Sequence, residues 1–232
     1  MTPLVSYQFE DSIATITMDD GKVNVLSLQM LTELNVAFDR ATADRAVVVL
    51  TGREGVFSAG FDLAALNAGG SEALAMLRAG FELAERILSF PTPVLIACTG
   101  HAVAMGVFLL LSGDYRVGVD GDHKITANEV AIGLTMPRAA VEICRQRLAP
   151  APFNRAVILA EVFSSADAVA AGFLDRVVPS PELHDVARSA AAELSRLDMD
   201  AHAATKLRAR EHALTAIRAA IEADHAAVRA SV

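Results

Sequence analysis

Apolar and polar residues alternate at the start of the chain, then apolar residues recur in continuous runs or at helical spacing. Residues 5–9 and 13–18 read as two strands joined through Asp11-Ser12 as a hairpin. Asp19-Asp20-Gly21-Lys22 is a polar break. Ser27 stands where a helix N-cap would, and Met30, Leu31, Leu34, Ala37 and Phe38 follow at helical spacing. Residues 46–50 form a short continuous apolar run, the pattern of a strand buried on both faces. Gly69-Gly70-Ser71 opens a helix with Leu74, Leu77, Phe81, Ala84 and Leu88 on one side. A second buried strand is expected at 93–98, a short apolar helix at 106–111 ending near Gly113, and strands at 115–119 and 124–127. From Pro137 the pattern turns helical, at about 138–147, 152–161, 165–171, 182–196 and 200–229, with one strand-like run at 173–178. Strands alternating with helices predict an α/β domain with parallel strands. The chain divides into a core, 1–180, and a helical tail, 181–232.

Composition narrows the picture. The 232 residues are 53% hydrophobic, enough for one well-buried domain and too apolar for a disordered chain. A net charge of −8 argues against nucleic acid as a partner, but a local patch could still hold an anionic ligand. Residues 87–113 carry no formally charged side chain, and a membrane-spanning helix requires about 20 apolar residues. Pro91, Pro93, Gly100 and Gly106 interrupt the run, so it reads as strand, turn and buried helix, with no membrane span. Cys98 and Cys144 lie in apolar surroundings without metal-type spacing. With no signal-like N-terminus, a cytoplasmic protein is expected.

Two segments carry candidate chemistry. Thr51-Gly52-Arg53-Glu54-Gly55-Val56-Phe57-Ser58-Ala59-Gly60-Phe61-Asp62-Leu63 is the first, and Cys98-Thr99-Gly100-His101-Ala102-Val103-Ala104-Met105-Gly106-Val107-Phe108 the second. Each sets small residues between a β-type run and a helical run. Such turns leave backbone N–H groups without intrahelical partners, and two of them converging would make an oxyanion hole.

The pair resembles the signature of the crotonase (enoyl-CoA hydratase/isomerase) superfamily. Residues 57–63 match the family's F-S-A-G-x-D-L block throughout. In the second block Gly100, Ala102 and Gly106 fit N-G-x-A-x-G-G-G-x-E, but Ala104 and Met105 replace glycines, and Phe108 replaces the glutamate of hydratases. A third block, Ala127-Asn128-Glu129-Val130-Ala131-Ile132-Gly133-Leu134, is similar to the P-E-x-x-x-G region, with Asn-Glu closer to the Δ3,Δ2-enoyl-CoA isomerase branch. The resemblance implies a ββα spiral (superhelix) with a helical C-terminal trimerisation region. Apolar tail residues Leu207, Ala213, Leu214, Ile217, Ile221 and Val228 suit assembly as a trimer or a dimer of trimers.

The resemblance also implies roles. Phe61 and Met105 would donate the two oxyanion N–H groups, with Met105 narrowing the acyl pocket. Glu129 would be the proton shuttle, its pKa raised among apolar neighbours. Lys22, Val23, Val25, Ala59, Gly60, Asp62 and Leu63 would contact coenzyme A, with Phe108 lining the acyl site and excluding water. Coenzyme A enters as part of the thioester substrate, with no tightly bound cofactor and no metal. Asp114 and Arg116 read as structural. The tail cations Lys206, Arg208, Arg210, Arg218 and Arg229 read mostly as a solvated face, of which one could reach CoA phosphates. The expected activity is Δ3,Δ2-enoyl-CoA isomerisation. The rivals are hydration or another crotonase reaction on one glutamate, and acyl-CoA binding without turnover.

Overall fold

The computed structural model describes residues 3–229, and the side chains of Val228 and Arg229 lie outside that description. In chain order the elements are β1 (Val5–Glu10), β2 (Ile13–Met18), β3 (Val25–Leu26), α1 (Leu28–Ala43), β4 (Val47–Thr51), β5 (Gly55–Ser58), β6 (Gly60–Phe61), α2 (Leu63–Ala68) and α3 (Gly70–Ser89). Then come β7 (Val94–Cys98), β8 (Gly100–Val103), α4 (Met105–Ser112), β9 (Tyr115–Val119), β10 (Ile125–Thr126) and α5 (Arg138–Arg145). The chain ends with α6 (Pro150–Leu159), α7 (Ser165–Ala171), β11 (Arg176–Val178), α8 (Leu183–Leu194), α9 (Met199–Ala209) and α10 (Glu211–Arg229).

A ββα turn recurs four times, as the expected spiral requires. Each of β2, β4, β7 and β9 joins a six-stranded sheet of order β1-β2-β4-β7-β9-β11. The chain then leaves that sheet, adds a short strand to a smaller one, and closes with a helix. The smaller sheets are β10-β8-β5 and β3-β6, both parallel. Among the strands of the described residues, β1 and β2 pair antiparallel, through the hairpin at Asp11-Ser12, where both residues have positive φ, and Ile125 of β10 makes an isolated antiparallel bridge to Phe163.

Strand alternation feeds two cores. Ile16, Val48, Leu50, Val94, Ile96 and Cys98 face the helical side with α1, α3, α4, α5 and α10. Val47, Val49, Leu95, Ala97, Val117 and Val119 face the other way, where Leu183, Ala187 and Ala191 of α8 cover them. Helices beyond residue 180 thus close both sides of the sheet.

Several expectations need correction. The short strands β5, β6 and β8 lie in segments read as turns, and β3 lies between the polar break and Ser27, where no element was expected. The run at 173–178 is a strand only from Arg176. Gly172 ends α7 in the left-handed region, and Asp175 turns to bind Arg116. The long tail helix is two helices, broken at Arg210, whose φ of −105° and ψ of 6° leave the helical region. Its apolar stripe is consumed within the chain. Leu214, Ile217 and Ile221 are buried against the same chain's α3 and α5, leaving Leu207 exposed. Val228 lies outside the described side chains. Among the described residues no helix is long and apolar enough to cross a membrane.

Candidate active site

The three sequence blocks become three neighbouring strands. β8 of the second block pairs with β5 of the first on one side and with β10, which leads to Glu129, on the other. Two contacts lock the first two blocks together. A Cβ on Gly60 would lie 2.8 Å from the Ala104 Cβ and 3.2 Å from the Met105 nitrogen, and Gly60 has φ +90°, so the position demands glycine. A Cβ on Gly106 would lie 2.5 Å from the Ser58 carbonyl oxygen. Met105 is the first residue of α4, so its N–H has no intrahelical acceptor and sits at the positive end of the helix dipole. Ala104, just before it, has φ 50° and ψ −125°, a strained conformation for a residue with a Cβ. The Ala104 N–H donates to the Thr126 carbonyl at 3.0 Å, tying this turn to the strand that ends near Glu129.

Glu129 is 7% exposed, and its Oε2 has no hydrogen-bond partner. Burial pushes its pKa from 4.5 to about 7, against a lesser pull from its own backbone N–H. The sequence neighbours expected to desolvate it do not, because Val130, Ile132 and Leu134 point outward at 44%, 50% and 50% exposure. Tertiary packing does so instead. The buried Cys144 thiol is near enough for Glu129 to add to the upward shift that burial gives it. Thr126 Oγ1 and Asn128 Oδ1 are also buried without partners.

The apolar side of the site is aromatic. Phe61 packs edge-on to Phe81 with centroids 6.1 Å apart, and Phe81 stacks on the buried Phe108, also at 6.1 Å. Gly80 gives the Phe61 ring its seat, since a Cβ there would fall 2.5 Å from ring carbons. Helix propensity would favour alanine at Gly80, so packing decides this position.

A family model described as Enoyl-CoA hydratase/isomerase matches residues 8–230. The chain belongs to the enoyl-CoA hydratase/isomerase family. A solved structure described as an apo Mtb enoyl-CoA isomerase is 51% identical, with a TM-score of 0.93 over 97% of this chain and 99% of that one. A Mycobacterium ulcerans enoyl-CoA hydratase is 50% identical, with a TM-score of 0.93 over 96% and 98% of the two chains. Rat mitochondrial enoyl-CoA delta isomerase 1 is 31% identical over 195 residues, 82% of this chain and 68% of that one. The fold is therefore the crotonase α/β fold, and both reaction names occur among relatives of equal similarity.

Other residues singled out from the family pattern fall around the same centre. Val25 pairs with Gly60, and the Val23 carbonyl accepts the Ala59 N–H at 3.0 Å. Lys22 is exposed at the end of this wall. Asp62 caps α2, accepting the Ala64 and Ala65 N–H groups at 2.9 and 3.3 Å, and Leu63 opens that helix with its side chain exposed. The residues that hold the wall in place escaped the sequence reading. Asn24 is fully buried with φ 54°, and its Nδ2 donates to the Met18 and Phe57 carbonyls. Asp20 accepts the N–H groups of Lys22, Asn24 and Val25. The Ser58 hydroxyl donates to the Asn24 carbonyl at 2.7 Å and accepts the Gly60 N–H at 3.1 Å. An asparagine just after the polar break was the available signal, because Asn tolerates the left-handed region. Arg53 donates to the Lys22 carbonyl at 2.7 Å and places a second cation there.

The tail cations are mostly committed. Lys206, expected on a solvated face, is 6% exposed and bound to Asp114 at 2.7 Å. Arg210 joins the same carboxylate at 2.9 Å, and Arg218 pairs with Glu85. Arg208 is exposed, and the Arg229 side chain lies outside the described residues.

Proposed function

We propose that the protein moves the double bond of a 3-enoyl-CoA to the 2-position, with Glu129 as the only proton shuttle. The carrying observation is the buried Glu129 carboxylate, its Oε2 unpartnered and its pKa near 7, together with a buried phenylalanine, not a second acid, at position 108. The thioester oxygen accepts the N–H groups of Phe61 and Met105. Glu129 takes a proton from C2. The electron pair delocalises over C2–C4 and the oxygen, where the two N–H groups and the α4 dipole stabilise the dienolate. The same carboxyl returns its proton to C4, leaving C2=C3. No water or redox partner is consumed. Hydration needs a water held and activated beside C3, and Phe108 offers it no polar group. Coenzyme A lies along Lys22, Val23, Val25, Ala59 and Gly60, with Lys22 and Arg53 toward its phosphates.

Product analysis tests this directly. With a 3-enoyl-CoA the expected product is the 2-enoyl-CoA, and with a 2-enoyl-CoA the 3-hydroxyacyl-CoA is expected to form far more slowly. Faster hydration than isomerisation would refute the reading. Tight binding of acyl-CoA with no turnover of either substrate would favour a binding protein.

Assembly as a trimer, or a dimer of trimers, belongs to the same proposal, but through a different surface from the tail stripe. Val130, Ile132 and Leu134 are exposed on one turn, and α6, which packs against that turn, exposes Ile158 and Leu159. Val162 follows, also exposed. Apolar groups clustered in this way mark an interface, and a copy of the chain seated here would brace the loop that carries Glu129. Leu159→Asp is expected to shift light-scattering mass toward the monomer and lower kcat together. A wild-type protein that is monomeric at micromolar concentration would end this part of the proposal.

A further inference from the structure

Gly80 lies buried near the middle of α3. Glycine weakens a helix interior relative to alanine, so a buried one there calls for a packing reason. A Cβ on Gly80 would fall 2.5 Å from both Cε1 and Cζ of Phe61, and 3.6 Å from Cε of Met105. The first distance is an overlap and the second an ordinary contact. The hollow left by the missing Cβ is thus filled by the side chains of Phe61 and Met105. These two residues come from different turns, one from β6 and one from the start of α4. They are also the two residues proposed to hold the thioester oxygen through their backbone N–H groups.

Phe61 has little room to give way. Phe81, the next residue of α3, stands edge-on to its ring at 6.1 Å and 71°, and Phe108 stacks behind Phe81. The Phe61 backbone is tied down by the pairing of β6 with β3, where Leu26 lies opposite it. Gly60, just before it, packs against Ala104 and the Met105 nitrogen. A methyl group at position 80 would force the ring back from 2.5 Å to ordinary carbon contact, a retreat of about 1 Å. With Phe81 on one flank and Met105 at the same hollow, the ring retreats with its backbone, and the Phe61 N–H moves relative to the Met105 N–H.

We infer that Gly80 is a positioning residue for the oxyanion hole: its missing side chain sets the separation and aim of the Phe61 and Met105 N–H groups, and residues 61 and 80 are matched in size. The inference rests on the enoyl-CoA reading above, and it applies to isomerisation and hydration alike, since both build charge on the thioester oxygen. A misplacement of about 1 Å in such a geometry costs on the order of 10²-fold in rate. The neutral thioester carbonyl gains less from the two donors than the charged oxygen of the transition state does. The loss therefore falls on kcat and not on binding.

Gly80→Ala, Phe61→Leu and the double variant test this against the wild type. The readouts are kcat on a 3-enoyl-CoA and a 2-enoyl-CoA, and the calorimetric Kd of butanoyl-CoA, with circular dichroism to confirm folding. Gly80→Ala is expected to lose kcat by at least about tenfold, with a much smaller change in Kd. Leucine has no atoms where the Phe61 ring places Cε1 and Cζ. Phe61→Leu therefore leaves the hollow empty and loosens the site, and adding Gly80→Ala refills it. The double variant is expected to exceed each single variant in kcat. A glycine that served only the folding of α3 would change the folded fraction, and not kcat per folded molecule. A smaller loss of kcat in Gly80→Ala, a rise in Kd equal to its loss of kcat, or a double variant no faster than Phe61→Leu would overturn the inference and leave the enoyl-CoA reading intact. If Gly80→Ala alone does not fold, the comparison of the double variant with Phe61→Leu decides. A wild type that turns over neither substrate would overturn both.

Discussion

Glu129→Gln is expected to lose turnover on a 3-enoyl-CoA while still binding coenzyme A thioesters. A positioned general acid/base contributes about 10²–10⁴-fold, and this proton transfer has no second carboxylate to share it. The amide keeps the size of the side chain and cannot take a proton from C2. Binding is retained because, in the proposed mechanism, the thioester oxygen is held by backbone N–H groups of Phe61 and Met105, which the substitution does not touch. The measurements are kcat by the appearance of 2-enoyl-CoA and Kd by calorimetry. Turnover within tenfold of wild type would remove Glu129 from the mechanism, and a loss of binding equal to the loss of kcat would make it a structural residue.

The raised pKa adds two tests of the same residue. A base must be ionised to act, so wild-type kcat/KM is expected to rise with pH and level off above about 7. Stability moves the opposite way. The folded protein holds the Glu129 proton more tightly than the unfolded chain, whose glutamate titrates near 4.5. The stabilisation from that proton is complete below 4.5 and is lost as pH rises through about 7. Glu129→Gln has no such loss. It should gain on wild type at pH 8, by about 3 kcal/mol at most, and not at pH 4. An inactive variant that is more stable than its parent at pH 8 is the signature of a carboxylate kept buried for chemistry.

The legible parts of this protein were those whose signal is local. Residues 46–50 and 93–98 announce buried strands because nothing polar interrupts them, and Ser27 announces α1 because its hydroxyl accepts the Met30 N–H. The short strands β5, β6 and β8 were not legible. Their glycines signal turns, while their pairing partners lie tens of residues away. The fourfold ββα turn was hidden for the same reason, since it repeats a path of the backbone and not a run of residues. The α10 stripe shows a different limit. Amphipathic spacing states that a face must be covered, but not whether the same chain or a partner covers it, and here α3 and α5 do. Glu129 was read correctly as a buried acid for a reason only partly right. Its neighbours at 130, 132 and 134 face outward, while Cys144 of α5 is among the groups near it. Asn24 was missed, and Ser58 was read only as part of its block, because the work of both is to hold backbone.

Asp114→Ala should be the most destabilising substitution outside the site. Its carboxylate accepts the Val94 N–H and the Lys206 ammonium, each at 2.7 Å, and the Arg210 guanidinium at 2.9 Å. Arg116 and Arg147 lie close by, so four cations share this region with two carboxylates, Asp114 and Asp175. Removing Asp114 leaves four cations against one acid. Breaking a buried pair from one side costs about 3–5 kcal/mol, a large part of a typical domain's 5–15 kcal/mol. Lys206 sets the pH dependence of that loss. Burial, only partly offset by Asp114, already lowers its pKa from 10.5 to about 8. Without Asp114 it falls further, and a folded pKa below the unfolded one means that stability recovers as pH rises toward 10.5. Urea midpoints for Asp114→Ala should therefore lie closer to wild type at pH 9 than at pH 7. Lys206→Met, which leaves the carboxylate with Arg210 and the Val94 N–H, should cost less than Asp114→Ala at both. A loss below 1 kcal/mol for Asp114→Ala at pH 7 would mean that water enters the cluster and replaces the carboxylate, and that α9 is not anchored to β7 and β9 by charge.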